Sequence, residues 1–120
     1  MTGFADTFVQ TPGMHFPTPD DPKQSAVWEN YVIAQAAQAS LRLIPSDAYA
    51  LGVTVRESRV TVVLQASSDS PTAQQDMTDI VSELEALLGP DVAVSHRVVV
   101  KEKGRLSPHD EVAWFFASRA

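Results

Sequence analysis

The residue types that could support nucleophilic or metal chemistry are few and crowd into one segment near the end of the chain. Ser107, His109 and Asp110 have the types of a hydrolase triad, but side chains this close in one loop cannot normally aim at one another in the required order, and no G-x-S-x-G turn is present. A metal site made of His109, Asp110 and Glu111 would lack ligands converging from other elements. We expect these residues to form a polar loop that leads into a strand, without catalytic or metal-binding roles.

Other common catalytic features are missing or have a simpler explanation. His96 stands among valines in an alternating segment, which predicts a core histidine hydrogen-bonded through one nitrogen; the alternative is a ligand-binding or pH-sensing group. The five glycines are scattered and form no phosphate-binding loop. The chain has no cysteine, which excludes disulfides, thiolate nucleophiles and iron–sulfur clusters. The sequence therefore predicts a protein that is not an enzyme and that carries no cofactor.

Charge is the strongest functional signal in the sequence. Its 120 residues include 15 Asp and Glu against nine Lys and Arg, for a net charge of −6, which disfavours nucleic acids and anionic membranes as partners. No basic residue occurs between Ser70 and Gly89, where four carboxylates recur at helical spacing: Asp76, Asp79, Glu83 and Glu85. A solvated helix face is the simpler interpretation, and a patch that binds a basic protein surface is the functional one.

The hydrophobic pattern predicts an α-β-β-α-β-β order. The first helix is expected from the N-cap Ser25 to about Leu43, with apolar residues over more than half of its circumference, so that it is buried on more than one side. The second helix begins at Ser70-Pro71 and ends at Gly89-Pro90.

Alternating segments predict four strands. The first two form a hairpin with Val55 opposite Val60, connected by either a two-residue or a four-residue turn. A third strand is expected over Val92 to Lys101 and a fourth over Glu111 to Ser118. Because a strand–helix–strand crossover is parallel, we expect two hairpins joined by the second helix. The predicted fold is α+β, a two-layer sandwich with two helices on one face of a four-stranded sheet.

The second face of this sheet is predicted to be mixed in character. Val63, Val99 and Phe115 would be its apolar residues and could form a self-association surface in a homodimer. A single domain is expected over 24–120. The first 23 residues are expected to form an arm, because Pro12, Pro17, Pro19 and Pro22 disfavour helix and central strand. The arm is apolar in composition. The arm, a second copy or another partner could cover the second face. A strand at Phe4 to Gln10 would make the fold a ferredoxin-like variant.

The location of the protein is also predicted from its apolar stretches. None approaches the roughly 20 residues that cross a bilayer, and the N-terminus lacks the basic start and apolar core of a signal peptide. We expect a cytoplasmic protein.

Three segments together carry a family resemblance. The run NYVIAQAAQASLRLIP, the helix DIVSELEALLG and the strand VAVSHRVVV resemble small bacterial proteins of α-β-β-α-β type, some of which are similar to immunity proteins of toxin systems. The likeness covers about residues 25–118 and lies in element order, size and acidity. It implies a non-enzymatic inhibitor that binds a basic toxin, such as a nuclease domain, and occludes its active site. The alternative is a homo-oligomeric structural or small-ligand-sensing regulatory domain.

Overall fold

The computed structural model describes residues 18–20, 24–101 and 111–118. The fold is α+β, with two helices and a four-stranded mixed sheet. Most of the predicted arm, the possible strand at Phe4 to Gln10 and the loop with Ser107, His109 and Asp110 lie outside the described residues. In chain order the elements are α1 (Ser25–Ala39), β1 (Ala48–Arg56), β2 (Arg59–Ala66), α2 (Pro71–Leu88), β3 (Ala93–Val100) and β4 (Ala113–Ala117).

The sheet has the strand order β3-β2-β1-β4. The predicted register of the β1–β2 hairpin is confirmed, since Val55 pairs with Val60 and Val53 with Val62. β2 and β3 are parallel, as the crossover through α2 predicts. The second predicted hairpin is wrong, because β4 pairs antiparallel with β1 at the opposite edge from β3. The connection from residue 101 to residue 112 is much longer than the roughly 2–5 residues of a hairpin loop, which lets β4 reach the open edge of β1.

α1 differs from its prediction in length and in burial. It ends at Ala39, and Ser25 is its first helical residue, preceded by Gln24 at the N-cap. One stripe of α1 is buried, formed by Trp28, Val32, Ala36 and Ala39. The expectation of burial on several sides is wrong, because Val27 remains 54% exposed. α1 contacts α2, β1 and β4, and these elements cover only one of its faces.

α2 follows its prediction at both ends. The Ser70 hydroxyl accepts a hydrogen bond from the Ala73 N–H at 3.0 Å, and Pro71 is the first helical residue. Gly89 ends the helix with a φ of 90°, a conformation that glycine adopts without strain. α2 packs against β2, β3 and α1 through the buried residues Ala73, Met77, Ile80 and Leu84.

The turn between β1 and β2 has two residues, Glu57 and Ser58. Glu57 has a φ of 55°, the sign that a type II′ hairpin turn requires at its first loop position. The indole Nε1 of Trp28 donates to the carbonyl oxygen of Glu57 at 2.8 Å. This bond ties the first turn of α1 to the tip of the hairpin and helps to hold a backbone conformation that a non-glycine residue seldom adopts.

Candidate partner-binding site

The four predicted partner-binding carboxylates lie on α2 but do not form one surface. Asp76, Asp79 and Glu83 are spaced three, four and seven residues apart and share one side of the helix. Glu85 lies about three turns beyond Gln74 and shares the side of Gln74, which contacts β3. Asp76 and Asp79 are partly buried, whereas Glu83 and Glu85 are exposed. The structure therefore brings three of the carboxylates together and sets Glu85 apart.

Two of these carboxylates line a groove between α2 and the chain that follows α1. The groove has a volume of about 630 Å³. α2 contributes Asp79, Ser82 and Glu83 to one wall. The other wall consists of Gln38, Ala39, Leu41, Arg42 and Leu43.

The wall formed after α1 depends on an unusual backbone turn. Residues 40–43 form turns rather than the last helical turn, and Arg42 has a φ of 69°. The left-handed conformation is unfavourable for a residue with a Cβ by roughly 1–2 kcal/mol. Leu43 donates its N–H to the Ser40 carbonyl at 2.9 Å and packs against the core. Leu41 is left 61% exposed beside the groove.

Among the described residues, no cation forms a salt bridge with the carboxylates of the groove. Gln75 Nε2 donates to Asp79 Oδ1 at 3.0 Å, which orients this carboxylate without cancelling its charge. Arg42 lines the same groove but makes no salt bridge with any residue in the described ranges. An exposed leucine beside two carboxylates that have no salt-bridge partner among the described residues fits a ligand that offers a positive charge and an apolar side chain.

The groove offers little catalytic chemistry. Among the described residues that line it, only Ser82 has a hydroxyl, and none is a histidine that could act as a base. Within residues 18–20, 24–101 and 111–118, no group of three or more His, Asp or Glu side chains could hold a metal ion.

His96 has the one-nitrogen hydrogen bond that its valine-rich context predicts. Its Nε2 donates to Oε1 of Gln74 at 2.9 Å, so the side chain links β3 to α2. The ring is partly exposed and does not belong to the fully buried core.

The predicted self-association residues are divided between the two faces of the sheet. Val63 is buried and Val99 partly buried, and both lie on the second face, away from the helices. Phe115 packs instead against the core on the helix side. A bulge in β4 causes the difference: Phe116 pairs with Leu51 and Trp114 with Gly52, so Phe115 is the extra residue and the alternation of faces is broken.

One end of the second face is polar. Thr61 and Ser95 place their hydroxyl oxygens 3.3 Å apart, and Arg56 forms an exposed ion pair with Glu111. Arg59 stands directly opposite Arg56 across the hairpin. Arg56 and Arg59 therefore lie apart from the acidic side of α2, whereas Arg42 lies beside it.

No protein-family model matches the chain, and no curated protein or solved structure is significantly similar to it. No helix among the described residues has both the length and the apolar character to cross a membrane.

Proposed function

We propose that the protein is a non-enzymatic binding module whose groove between α1 and α2 holds a basic segment of another protein. The observation that carries this proposal is the position of Leu41, exposed beside Asp79 and Glu83 in one groove. The proposal includes the two-layer arrangement of the fold, in which both helices lie on the same face of the sheet. The groove is formed where these two helices meet.

The chemistry of the groove favours a ligand with two features. A Lys or Arg side chain would meet Asp79 and Glu83, whose charges have no cationic partner among the described residues. An adjacent apolar side chain would cover Leu41 and exclude water from the ion pairs, which strengthens them. The turn at Arg42 fixes this wall, so little ordering of the chain is required on binding.

We further infer that the partner is a basic bacterial toxin and that the protein acts in the cytoplasm by occluding it. The net charge of −6 supports this, because an acidic inhibitor attracts a basic enzyme from a distance and orients it before contact. The resemblance to immunity proteins points to the same class of target. Inhibition by occlusion requires no catalytic group in the inhibitor.

The test is affinity capture from native lysate with tagged wild-type protein and two charge-reversal variants. Asp79→Lys with Glu83→Lys alters the groove, whereas Glu29→Lys with Asp91→Lys alters exposed positions outside it. Both double variants change the net charge by the same amount. Captured proteins are identified and quantified by mass spectrometry, and far-UV circular dichroism establishes that all three proteins are folded.

The proposal predicts one stoichiometric basic protein, recovered with the wild type and the control variant and lost with the groove variant. Equal loss with both variants would mean that net charge alone drives the association. Equal recovery with both would move the binding site away from Asp79 and Glu83.

A further inference from the structure

No strand among the described residues pairs with the outer edge of β3. Within the described part of the chain, β3 pairs only with β2. The N–H groups of Ala93 and Lys101, at the two ends of the strand, both donate to the side of β2. Because backbone groups alternate in direction along a strand, the N–H and C=O of the intervening even-numbered residues point away from β2: Val94, His96, Val98 and Val100.

β3 is not a short, bulged or proline-containing strand, which are three of the forms in which an edge resists pairing. It has eight residues without proline or glycine, and its register with β2 is regular. The other edge strand, β4, has only five residues and contains a bulge. Val98, Val99 and Val100 end β3, and Val100 is 55% exposed. A regular, valine-rich edge of this length is suited to pairing with another strand.

We propose that β3 pairs antiparallel with β3 of a second copy of this chain, which joins the two sheets into one across a twofold axis. The argument for a second copy is that the strand is complementary to itself in one register. With Val98 on the axis, His96 lies opposite Val100 of the partner subunit, and Arg97 lies opposite Val99 of the partner subunit. This register buries the exposed valine and opposes no like charges.

The neighbouring registers are less favourable. An axis through Arg97 would place the two arginines directly opposite each other, which is destabilising. An axis through His96 would pair more of the strand, but it would place the two histidine rings opposite each other and leave the exposed Val100 opposite Val92 of the partner subunit, which precedes the strand. An axis through Val99 would place Arg97 opposite Lys101 of the partner subunit, which again opposes like charges, so the pattern favours the register centred on Val98.

The acidic residues of α2 do not oppose this pairing. Asp76, Asp79 and Glu83 lie on the side of α2 that faces α1, away from the open edge of β3. Glu85 is on the β3 side but lies about three helical turns from Gln74, the residue that contacts His96 near the proposed axis. The dimer would leave both grooves open, so it can form whether or not the proposed function is correct.

The test combines sedimentation equilibrium with amide hydrogen exchange measured residue by residue. The wild-type protein is expected to have twice the mass of the 13.0 kDa chain at high concentration and to dissociate on dilution. In the dimer, the amides of His96, Val98 and Val100 should gain protection. Those of Arg97, Val99 and Lys101, which face β2, should be protected in both states.

Val100→Lys is the diagnostic variant, and Val27→Lys is its matched control, since the two valines are 55% and 54% exposed. The first should lose the dimer while its odd-numbered β3 amides stay protected, which establishes that it is folded. The second should dimerise like the wild type. The proposal would be overturned by a wild-type monomer at all concentrations, by a dimer with unprotected even-numbered amides, or by equal dimerisation of the two variants. A dimer formed through Val63 and Val99 on the second face would leave the even-numbered amides of β3 unprotected.

Discussion

Gly52 is the position at which the sheet leaves no room for a side chain. A Cβ there would lie 2.6 Å from Cγ1 of Val112, 2.7 Å from the Ala113 carbonyl oxygen and 2.9 Å from Cε3 of Trp114. All three residues belong to β4 or the segment just before it, so the absence of a side chain at Gly52 permits β4 to approach β1. The same contact region contains the bulge that turns Phe115 and Phe116 towards the core.

Gly52→Ala is therefore expected to destabilise the protein by about 1–3 kcal/mol, the usual range for overpacking a buried site. The carbonyl oxygen of Ala113 is a backbone atom and cannot move aside without shifting β4. Urea unfolding measures the change, with Thr54→Ala, on the same face of β1, as a control expected to change the free energy of unfolding by only about 0.5 kcal/mol. Wild-type stability in Gly52→Ala would mean that β4 can shift without loss of packing.

At the scale of elements, the sequence predicts what depends on neighbouring residues and misses what depends on distant ones. Ser70 and Gly89 mark the ends of α2, and alternating valines determine the β1–β2 register. Arg42 has a left-handed conformation that its residue type does not indicate. The sequence pattern therefore predicts too long a helix and does not predict the groove beside it. β4 was assigned to the wrong neighbour because two open edges compete for it, and no local pattern distinguishes them.

Sequence reasoning likewise identified only part of the candidate site. Asp79 and Glu83 stand out because no basic residue occurs in their helix. Leu41 and Arg42 had no such signal, since the apolar pattern continues through them as if α1 extended to Leu43. The sequence pattern does not predict the bulge at Phe115 either, because periodicity assumes a regular strand.

Ser70 is the residue through which the stability of α2 can be tested. Replacing it with alanine removes the acceptor for the Ala73 N–H and is expected to lower the free energy of unfolding by about 1 kcal/mol. Ser70→Asp keeps an acceptor and adds a negative charge at the helix N-terminus, so it should retain or exceed wild-type stability. Thermal or urea unfolding compares the two with Ser46→Ala, an exposed change outside the helix. If both Ser70 variants were equally destabilised, the hydroxyl would have a role other than capping.

At the scale of the whole molecule, the structure shows two groups of like-charged side chains among its described residues, and they lie on different parts of the fold. The side of α2 that faces α1 carries Asp76, Asp79 and Glu83. The end of the second sheet face carries Arg56 and Arg59. This arrangement makes the electrostatic potential more negative near the groove than near the two arginines. A basic partner approaching from solution would therefore be oriented towards the groove before it makes contact.

Long-range attraction by the carboxylates and local contact by Leu41 should then affect different rate constants of binding to the captured partner. Asp79→Asn with Glu83→Gln removes two charges that act over a distance, so it should mainly slow association and reduce the dependence of the association rate on ionic strength. Leu41→Ala removes an uncharged contact that forms only in the complex, so it should mainly speed dissociation and leave the salt dependence unchanged. Surface plasmon resonance at several salt concentrations measures both rates. If the leucine variant altered association and the neutral variant altered only dissociation, the carboxylates would act as local contacts, and the division of charge across the molecule would have no part in recognition.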